Sequence, residues 1–217
     1  MELNLQKFRI SLVLDSFFFP LTSIEVFDSL KSRGFELGRP PAPLLTGLRV
    51  YVAGVIARKN NVLIDVDSSR KLVGAEGGVI EQTLQVFSEV LSIIREDFFV
   101  DLDKETDYVE LITHYLVKSD KNPIEMVQNA SELRFKDKFK QVLGMEVSDY
   151  HFSIVPRGVS PSSRNWFEIN ISPKLTMPNK AYWVEVIFRN VKCDMVTSFA
   201  SNLYSTISTI INTIEEV

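Results

Sequence analysis

The chain has 217 residues, of which 45% are hydrophobic and 24% charged, so it can bury a substantial core and is not a disordered chain. Its 24 lysines and arginines against 28 aspartates and glutamates give a net charge of -4, which argues against a general attraction to nucleic acid or anionic membranes. Cys193 is the only cysteine, which excludes an intrachain disulfide and fits a reducing compartment. No transmembrane run and no signal-peptide pattern is found, so we predict a cytoplasmic protein without membrane association.

The first part of the chain predicts a strand, a helix, several strands and a second helix. Residues 3–16 alternate between apolar and polar side chains, which is typical of a half-buried strand. A helix is predicted from Ser23 to Arg33, with Thr22 and Glu25 at capping-box spacing and Gly34 as its end. The elements that follow are predicted as strands at 48–58, 62–67 and 71–75 and a long helix with an apolar stripe of Ile80, Leu84, Phe87, Leu91 and Ile94.

The second part of the chain repeats this order of elements. A strand is predicted at 108–118, and Asn122 followed by Pro123 then indicates a helix start, with helix continuing to Gly144 after a break near Ser131. Strands are predicted at 150–156, 166–172 and 181–191. The last helix is predicted to begin at a capping Asp194 and to bury a stripe of Val196, Phe199, Leu203, Ile207, Ile210 and Ile214. Its opposite face is mostly Ser, Thr and Asn without charge, so we expect it to be partly covered.

The repeated order predicts an α+β fold in which residues 1–104 and 105–217 are two β-α-β-α halves of one continuous domain. Hairpin-linked strands favour antiparallel pairing, and both long helices can cover one sheet face. This order resembles the TATA-binding-protein-like fold, whose two β-α-β-α repeats form one curved antiparallel sheet with helices on its convex side. The helix-grip fold, in which a sheet wraps one long helix over a cavity, is the alternative.

No residue pattern predicts catalysis, a metal site or a cofactor. His114 and His151 lie in predicted strands, and neither belongs to a zinc-binding motif, although a pair that the fold brings together stays open. Cys193 stands at the start of the last helix, where the helix dipole could lower the pKa of its thiol; a packing role is the alternative. We therefore name no catalytic residue, no metal ligand and no cofactor.

The candidate binding surface is the sheet face that the helices leave open. In the strand at 166–172, Trp166, Glu168 and Asn170 lie opposite the apolar side, and either Tyr182 or Trp183 must face the same way. The loop at 157–164 carries two arginines and three serines and could hold an anion, or be a flexible hairpin loop. The candidate ligand- or partner-binding residues are Trp166, Glu168, Asn170, Tyr182, Trp183, Arg157 and Arg164.

An exposed face with aromatic side chains needs a ligand, a second subunit or nucleic-acid bases to cover it. We therefore predict a binding or interaction module that acts non-covalently and self-associates as a homodimer. A small-molecule-binding or enzymatic domain, with a cavity between the sheet and the C-terminal helix, is the alternative. A nucleic-acid binder is a third hypothesis, which the net charge disfavours.

Overall fold

The structure, a computed structural model, describes residues 1–15, 21, 23–38, 44–46, 49–51, 53–130 and 136–216. The strands are β1 (Glu2–Leu14), β2 (Glu36–Leu37), β3 (Leu44–Thr46), β4 (Arg49–Tyr51), β5 (Ala53–Lys59), β6 (Val62–Asp67), β7 (Leu72–Gly77), β8 (Thr106–Lys118), β9 (Phe152–Ile154), β10 (Trp166–Pro173) and β11 (Ala181–Asn190). The helices are α1 (Ile24–Ser32), α2 (Ile80–Ser92), α3 (Leu102–Glu105), α4 (Pro123–Ala130), α5 (Lys136–Leu143), α6 (Cys193–Ser201) and α7 (Leu203–Glu215), and α2 continues into a π-helical turn at Ile93–Asp97. None of the described helices is long and apolar enough to cross a membrane.

Nine of the described strands form one antiparallel sheet in the order β2-β5-β6-β7-β1-β8-β11-β10-β9. The two central strands, β1 and β8, each have 13 residues and pair from Glu2–Lys118 to Leu14–Thr106. On one side of this centre lie strands from the first part of the chain, and on the other side strands from the second part. The prediction of an α+β protein with an antiparallel sheet is therefore confirmed.

The helices bury one face of this sheet, which we call the core face. Along β8 every second side chain from Val109 to Val117 is buried, while the side chains between them are only half-buried. Helices α2 and α6 contact the central strands, and their buried side chains belong to the same apolar cluster as Phe8, Ile10 and Leu12 of β1. We call the opposite side the open face.

Several local predictions are confirmed by the geometry of the backbone. The sequence Asn60-Asn61 between the predicted strands at 48–58 and 62–67 suits a tight hairpin turn, and the two residues have φ values of 50° and 61°, as such a turn between β5 and β6 requires. Asn122 caps α4, because its Oδ1 accepts a hydrogen bond from the Ile124 N–H at 3.2 Å. Helix α1 ends before Gly34, whose φ is 77°. Thr22 of the predicted capping box lies outside the described residues. So do residues 39–43, which belong to the proline-rich stretch from Gly38 to Leu45, a stretch whose sequence predicts a connecting loop.

The predicted C-terminal helix is two helices, which corrects the sequence-based prediction. Asn202, with φ -103° and ψ 4°, separates α6 from α7, and its side chain donates to the Ser198 carbonyl at 2.9 Å. An asparagine competes for backbone hydrogen bonds in this way, which favours a helix end. Asp194 lies in the first turn instead of at the cap, which is Lys192. The predicted stripe is buried or half-buried, but the opposite face is exposed at Ser201, Ser205 and Asn212 rather than covered by a described residue.

The face of α2 that is buried differs slightly from the apolar stripe predicted from the sequence. Its fully buried centre includes Thr83, Val86 and Phe87, while Ile80 and Leu84 are half-buried at the margin. The difference follows from a close approach at the end of β7, because a Cβ on Gly77 would lie 2.4 Å from Thr83 Oγ1. Glycine there lets Thr83 pack directly against the strand.

Candidate functional site

The open face carries charged or aromatic side chains on all of its central strands. The strand register places the following side chains on this face: Asp65 of β6, Glu76 of β7, Lys7 and Arg9 of β1, Glu110 and His114 of β8, Trp183, Glu185 and Arg189 of β11, and Glu168 and Asn170 of β10. Each of them alternates along its strand with a side chain of the core face. What these side chains contact decides which part of the face is available to a ligand.

On the first half of the open face, formed by β1, β7 and β6, oppositely charged side chains pair across the strands. Arg9 Nη2 lies 2.7 Å from Asp65 Oδ2, and Lys7 Nζ lies 3.4 Å from Glu76 Oε2. Gly74, between β1 and β6, makes the first pair possible, because a Cβ there would lie 2.6 Å from Arg9 Nη2. This part of the face is therefore electrically neutralised by its own chain.

At one end of the central strands, the loop before β10 folds over the open face. Arg189 Nη2 lies 2.5 Å from Glu110 Oε2, and Nη1 donates to the carbonyl oxygens of Pro161 and Ser163, each at 3.2 Å. These contacts hold the loop against the sheet.

Two of the predicted site residues, Trp166 and Arg164, lie at this covered end. Trp166 faces the open side opposite Arg189, but it is only 8% exposed, so it is not the bare aromatic that the pattern predicts. Arg164 Nε lies 2.5 Å from Asp107 Oδ1, and its Nη2 lies 3.6 Å from Asp15. Arg164 therefore already contacts carboxylates. Arg157 is exposed and forms no ion pair with any other described residue.

A pocket of about 560 Å³ lies on the second half of the open face, and we call it the Trp183 pocket. Its floor comes from adjacent strands, since Asn170 of β10 pairs with Glu185 of β11 and Ser172 pairs with Trp183. It is lined by Tyr150, His151, Ser153, Glu168, Asn170, Ile171, Ser172, Leu175, Trp183 and Glu185. The structure thus brings together three predicted residues, Glu168, Asn170 and Trp183.

The two carboxylates of the Trp183 pocket are held by neutral donors. Trp183 Nε1 donates to Glu185 Oε1 at 2.9 Å, and Asn170 Nδ2 donates to Glu168 Oε1 at 3.1 Å. The Ser153 hydroxyl donates to Glu168 Oε1 at 3.5 Å. Within the described part of the chain, neither Glu168 nor Glu185 forms an ion pair with a lysine or arginine. Both carboxylates of the pocket therefore lack an ion-pair partner among the described residues.

The ring of Trp183 contacts a cation and an imidazole. Lys174 Nζ lies 3.5 Å from the centroid of the ring, which is a cation–π contact. The His114 ring lies 5.5 Å away, tilted by 51°. These contacts fix the orientation of the indole, whose N–H also bonds Glu185.

Tyr182 lies on the core face and is fully buried. Burial, together with the negative charge of Glu215, holds the pKa of its hydroxyl far above the usual range. Of the two alternatives, it is thus Trp183 and not Tyr182 that faces the open side, and Tyr182 packs the core.

The two histidines are brought together at the Trp183 pocket, His114 against the indole and His151 in the lining. Neither imidazole forms a hydrogen bond with another described side chain. Burial raises the pKa of the Cys193 thiol, with a further increase from Asp194, which opposes the lowering that the helix dipole would cause. The described residues hold no group of three or more His, Cys, Asp or Glu side chains placed for a metal ion.

A second cavity, which we call the edge groove, lies between the outermost strand β9 and α7. It has a volume of about 410 Å³, and apolar side chains such as Phe152, Ile154, Ile210 and Ile214 line it together with Thr209 and Thr213. None of the described residues that line the groove is charged, so its described lining differs in chemistry from that of the Trp183 pocket.

No protein-family model, no curated protein and no solved structure matches this chain. The candidate site is therefore described only from the residues and distances of this structure. The position of Glu185 could have been predicted from the sequence. Glu185 follows Trp183 by two residues in a strand, so the alternation that places Trp183 on the open face also places Glu185 there. Lys174, Tyr150 and Leu175 lie outside the strands, where no periodicity predicts a direction.

Proposed function

We propose that this protein is a cytoplasmic binding module that holds its ligand non-covalently in the Trp183 pocket. The observation that carries the proposal is a concave site with an oriented indole and two half-buried carboxylates that lack basic partners within the described chain. Ligand sites in proteins are clefts of a few hundred Å³ with a small number of fixed polar groups, and the Trp183 pocket has this composition. Elsewhere on the open face, ion pairs or the loop before β10 cover the polar groups.

The chain offers a direct test, because Trp166 and Trp183 are its only tryptophans. Their two indole N–H signals in a ¹H–¹⁵N spectrum, assigned with Trp166→Phe, report on the pocket and on the covered end of the same face. Mixtures of cationic, neutral and anionic small molecules and short peptides would be added in turn. We expect at least one compound to move the Trp183 signal in a saturable way while the Trp166 signal stays in place. A Trp183 signal that no class of compound moves would contradict the proposal.

The module is best described as a duplicated β-α-β(n)-α unit similar to the TATA-binding-protein-like fold. Support comes from the order of the nine-stranded sheet, in which each half contributes one long central strand and its other strands in that sheet follow outwards, while β3 and β4 pair separately. Both α2 and α6 lie against the same sheet. The alternative helix-grip fold has a single long helix over its sheet, so this pair of helices favours the duplicated unit.

Self-association is a second candidate function, favoured by the exposed surface of α6 and α7. This surface contains Ser198, Ser201, Ser205, Thr209 and Asn212. Tyr204, also on this surface, is 59% exposed. No charged residue occurs between Asp194 and Glu215, so two copies with a net charge of -4 could meet here without repulsion between like charges.

Light scattering across a dilution series tests the homodimer. We expect a dimer mass that Tyr204→Arg reduces to the monomer mass, because the new charge would be buried without a partner. Leu175→Arg is the matched control, since Leu175 is 82% exposed but lies at the Trp183 pocket. A monomer mass at every concentration of the unmodified protein would exclude this interface.

The two remaining hypotheses have weaker support. A small apolar molecule could bind the edge groove, which adjoins the C-terminal helix, and a signal change at Ile210 would report it. Nucleic acid would require basic side chains that are free for phosphate, yet Lys7, Arg9 and Arg189 on the open face are all paired with carboxylates. We expect no nucleic-acid binding even at low salt.

A further inference from the structure

We propose that the ligand of the Trp183 pocket carries an aliphatic ammonium group, which binds between Glu168, Glu185 and the indole of Trp183. This inference rests on the proposed binding function and names the chemistry of the ligand. Three features of the pocket support it: its charge, its aromatic surface and its shape.

The first feature is charge without an internal partner. Glu168 and Glu185 lie on adjacent strands of the same face in a diagonal relation, which places such side chains about 7–8 Å apart. Both are half-buried, and their hydrogen bonds come from an indole, an amide and a hydroxyl. On the same face, the carboxylates of Asp65, Glu76 and Glu110 each have a basic partner. A cation in the pocket would supply the ion-pair partner that Glu168 and Glu185 do not find among the described residues.

The second feature is the cation that the indole already holds. Lys174 Nζ lies 3.5 Å from the ring centroid, so the ammonium group of this chain shows that the ring is accessible to such a group. Lys174 follows the end of β10, and its long flexible side chain can leave the ring without a change in the backbone. The ammonium group of a ligand would replace that of Lys174 and would lie closer to the two carboxylates. Lys174 therefore competes with the ligand.

The third feature is the shape of the pocket. A volume of about 560 Å³, open to solvent, admits the end of an alkyl chain with an ammonium group. Tyr150 and Leu175 line the pocket and can contact the methylene groups of such a chain. The same chemistry occurs in free diamines and in the lysine side chain of a peptide, and the experiment has to separate these two sources.

The experiment follows the Trp183 indole signal during titration of the full chain with three probes. Putrescine stands for a free diamine, Nα-acetyl-lysine methylamide for a lysine of a peptide, and 1,4-butanediol is the neutral analogue of putrescine. We expect saturable movement of the Trp183 signal with one or both ammonium probes and none with butanediol. Stronger binding of putrescine would identify a free amine as the ligand, and stronger binding of the blocked lysine would identify a peptide.

Variants that remove the carboxylates and a variant that removes the competing ammonium of Lys174 should change the affinity in opposite directions. Glu168→Gln combined with Glu185→Gln should weaken binding of the better probe by roughly tenfold, because hydrogen bonds to charged groups are stronger than those to neutral groups. Lys174→Ala should tighten binding severalfold, since the competing ammonium group is removed. Glu76→Gln, on the ion-paired part of the same face, is the matched control and should leave the affinity unchanged.

Three results would overturn the inference. Butanediol could move the Trp183 signal as strongly as putrescine, the double glutamine variant could bind the ammonium probes as before, or Lys174→Ala could weaken binding. If only neutral or anionic compounds move the Trp183 signal, the ammonium assignment is wrong while the proposed binding function stands. If no compound of any class moves it, both are wrong.

Discussion

The two halves of the open face share one sheet and one alternation of side chains, yet they differ in how their charges are satisfied. On the first half, Arg9 and Asp65 pair across the strands, and Gly74 leaves room for the arginine between them. On the second half, Glu168 and Glu185 are held by neutral donors around a pocket. The direction in which a strand side chain points is thus set by alternation, but whether it is available to a ligand is set by its partner on the next strand.

The helices on the core face show a similar contrast. In the first half, the Arg33 guanidinium joins the end of α1 to Glu96 and Asp97 after α2, with Nη1 2.5 Å from Asp97 Oδ2. In the second half, the chain before α4 is joined to the end of α7 by a hydrogen bond of 2.5 Å from the Ser119 hydroxyl to Glu215 Oε1. The first half therefore uses ion pairs, whereas the second uses hydrogen bonds to Glu215 from the Ser119 hydroxyl and from the Lys121 ammonium, which donates to the Glu215 carbonyl.

The largest expected effect comes from removing core volume in each half. Ile64 of β6 and Ile171 of β10 are almost fully buried, and replacement of either by alanine should cost about 2–5 kcal/mol of unfolding free energy. Since β1 and β8 pair over their whole length, we expect both variants to shift one common transition in urea. Ile112→Ala on the half-buried open face is the control and should cost less. Two separate transitions would show that residues 1–104 and 105–217 unfold independently.

The next effect concerns the charges of the open face. Arg9→Met leaves the half-buried Asp65 carboxylate without its partner and should cost about 1–3 kcal/mol. Gly74→Ala should act through the same pair, because the new methyl group would displace the Arg9 guanidinium. Glu185→Gln keeps an oxygen acceptor for the Trp183 N–H, so its cost should be about 0.5 kcal/mol or less. Equal losses for Arg9→Met and Glu185→Gln in chemical denaturation would remove the distinction between the two halves.

A smaller effect is expected from the ion pair on the helix side of the first half. The hydrogen bond from Arg33, together with one from Ser29, lowers the pKa of Asp97. Because the pKa is lower in the folded state, the contribution to stability is complete above the unfolded value of about 4 and is lost as the pH falls through the folded value. Asp97→Asn should cost about 0.5–1 kcal/mol near pH 7, an amount limited by solvent screening. The difference in melting temperature between the two proteins should shrink as the pH falls below ~4 and vanish only below the lowered pKa of Asp97, and a difference that does not shrink on acidification would exclude this mechanism.

The sequence predicted the elements well and their partners poorly. Alternation and capping residues such as Asn122 are local, so the strands and most helix ends could be read from neighbouring residues. The pairing of Arg9 with Asp65 joins strands that are far apart in the chain, and only the register shows it. The covered state of Trp166 depends on an arginine from β11 and on a loop, and the Lys174 contact depends on a side chain just past the end of a strand. The sequence predicts one helix through Asn202, because the apolar stripe continues on both sides of the position where the structure breaks the helix.

The smallest expected effect concerns the contact between α2 and α6, which we call the seam, where helices of the two halves meet. Cys193, at the start of α6, lines a cavity of about 480 Å³ together with Leu91 of α2 and Arg95 of the π-helical turn that follows α2. Burial raises the pKa of its thiol, Asp194 raises it further, and Arg95 lowers it. The folded protein should therefore react with iodoacetamide at pH ~8 more slowly than free cysteine, whose pKa is about 8.5.

Two substitutions with opposite effects on the pKa of Cys193 test whether α2 and α6 stay packed together in solution. Asp194→Asn should speed the alkylation by a factor of about 2–3 and Arg95→Met should slow it, since nearby charges change the thiolate fraction in opposite directions. Neither variant should change the unfolding transition that both halves share. A reaction as fast as that of free cysteine, unaffected by either substitution, would mean that the seam opens in solution. The helices of the two halves would then move independently over the sheet that joins them.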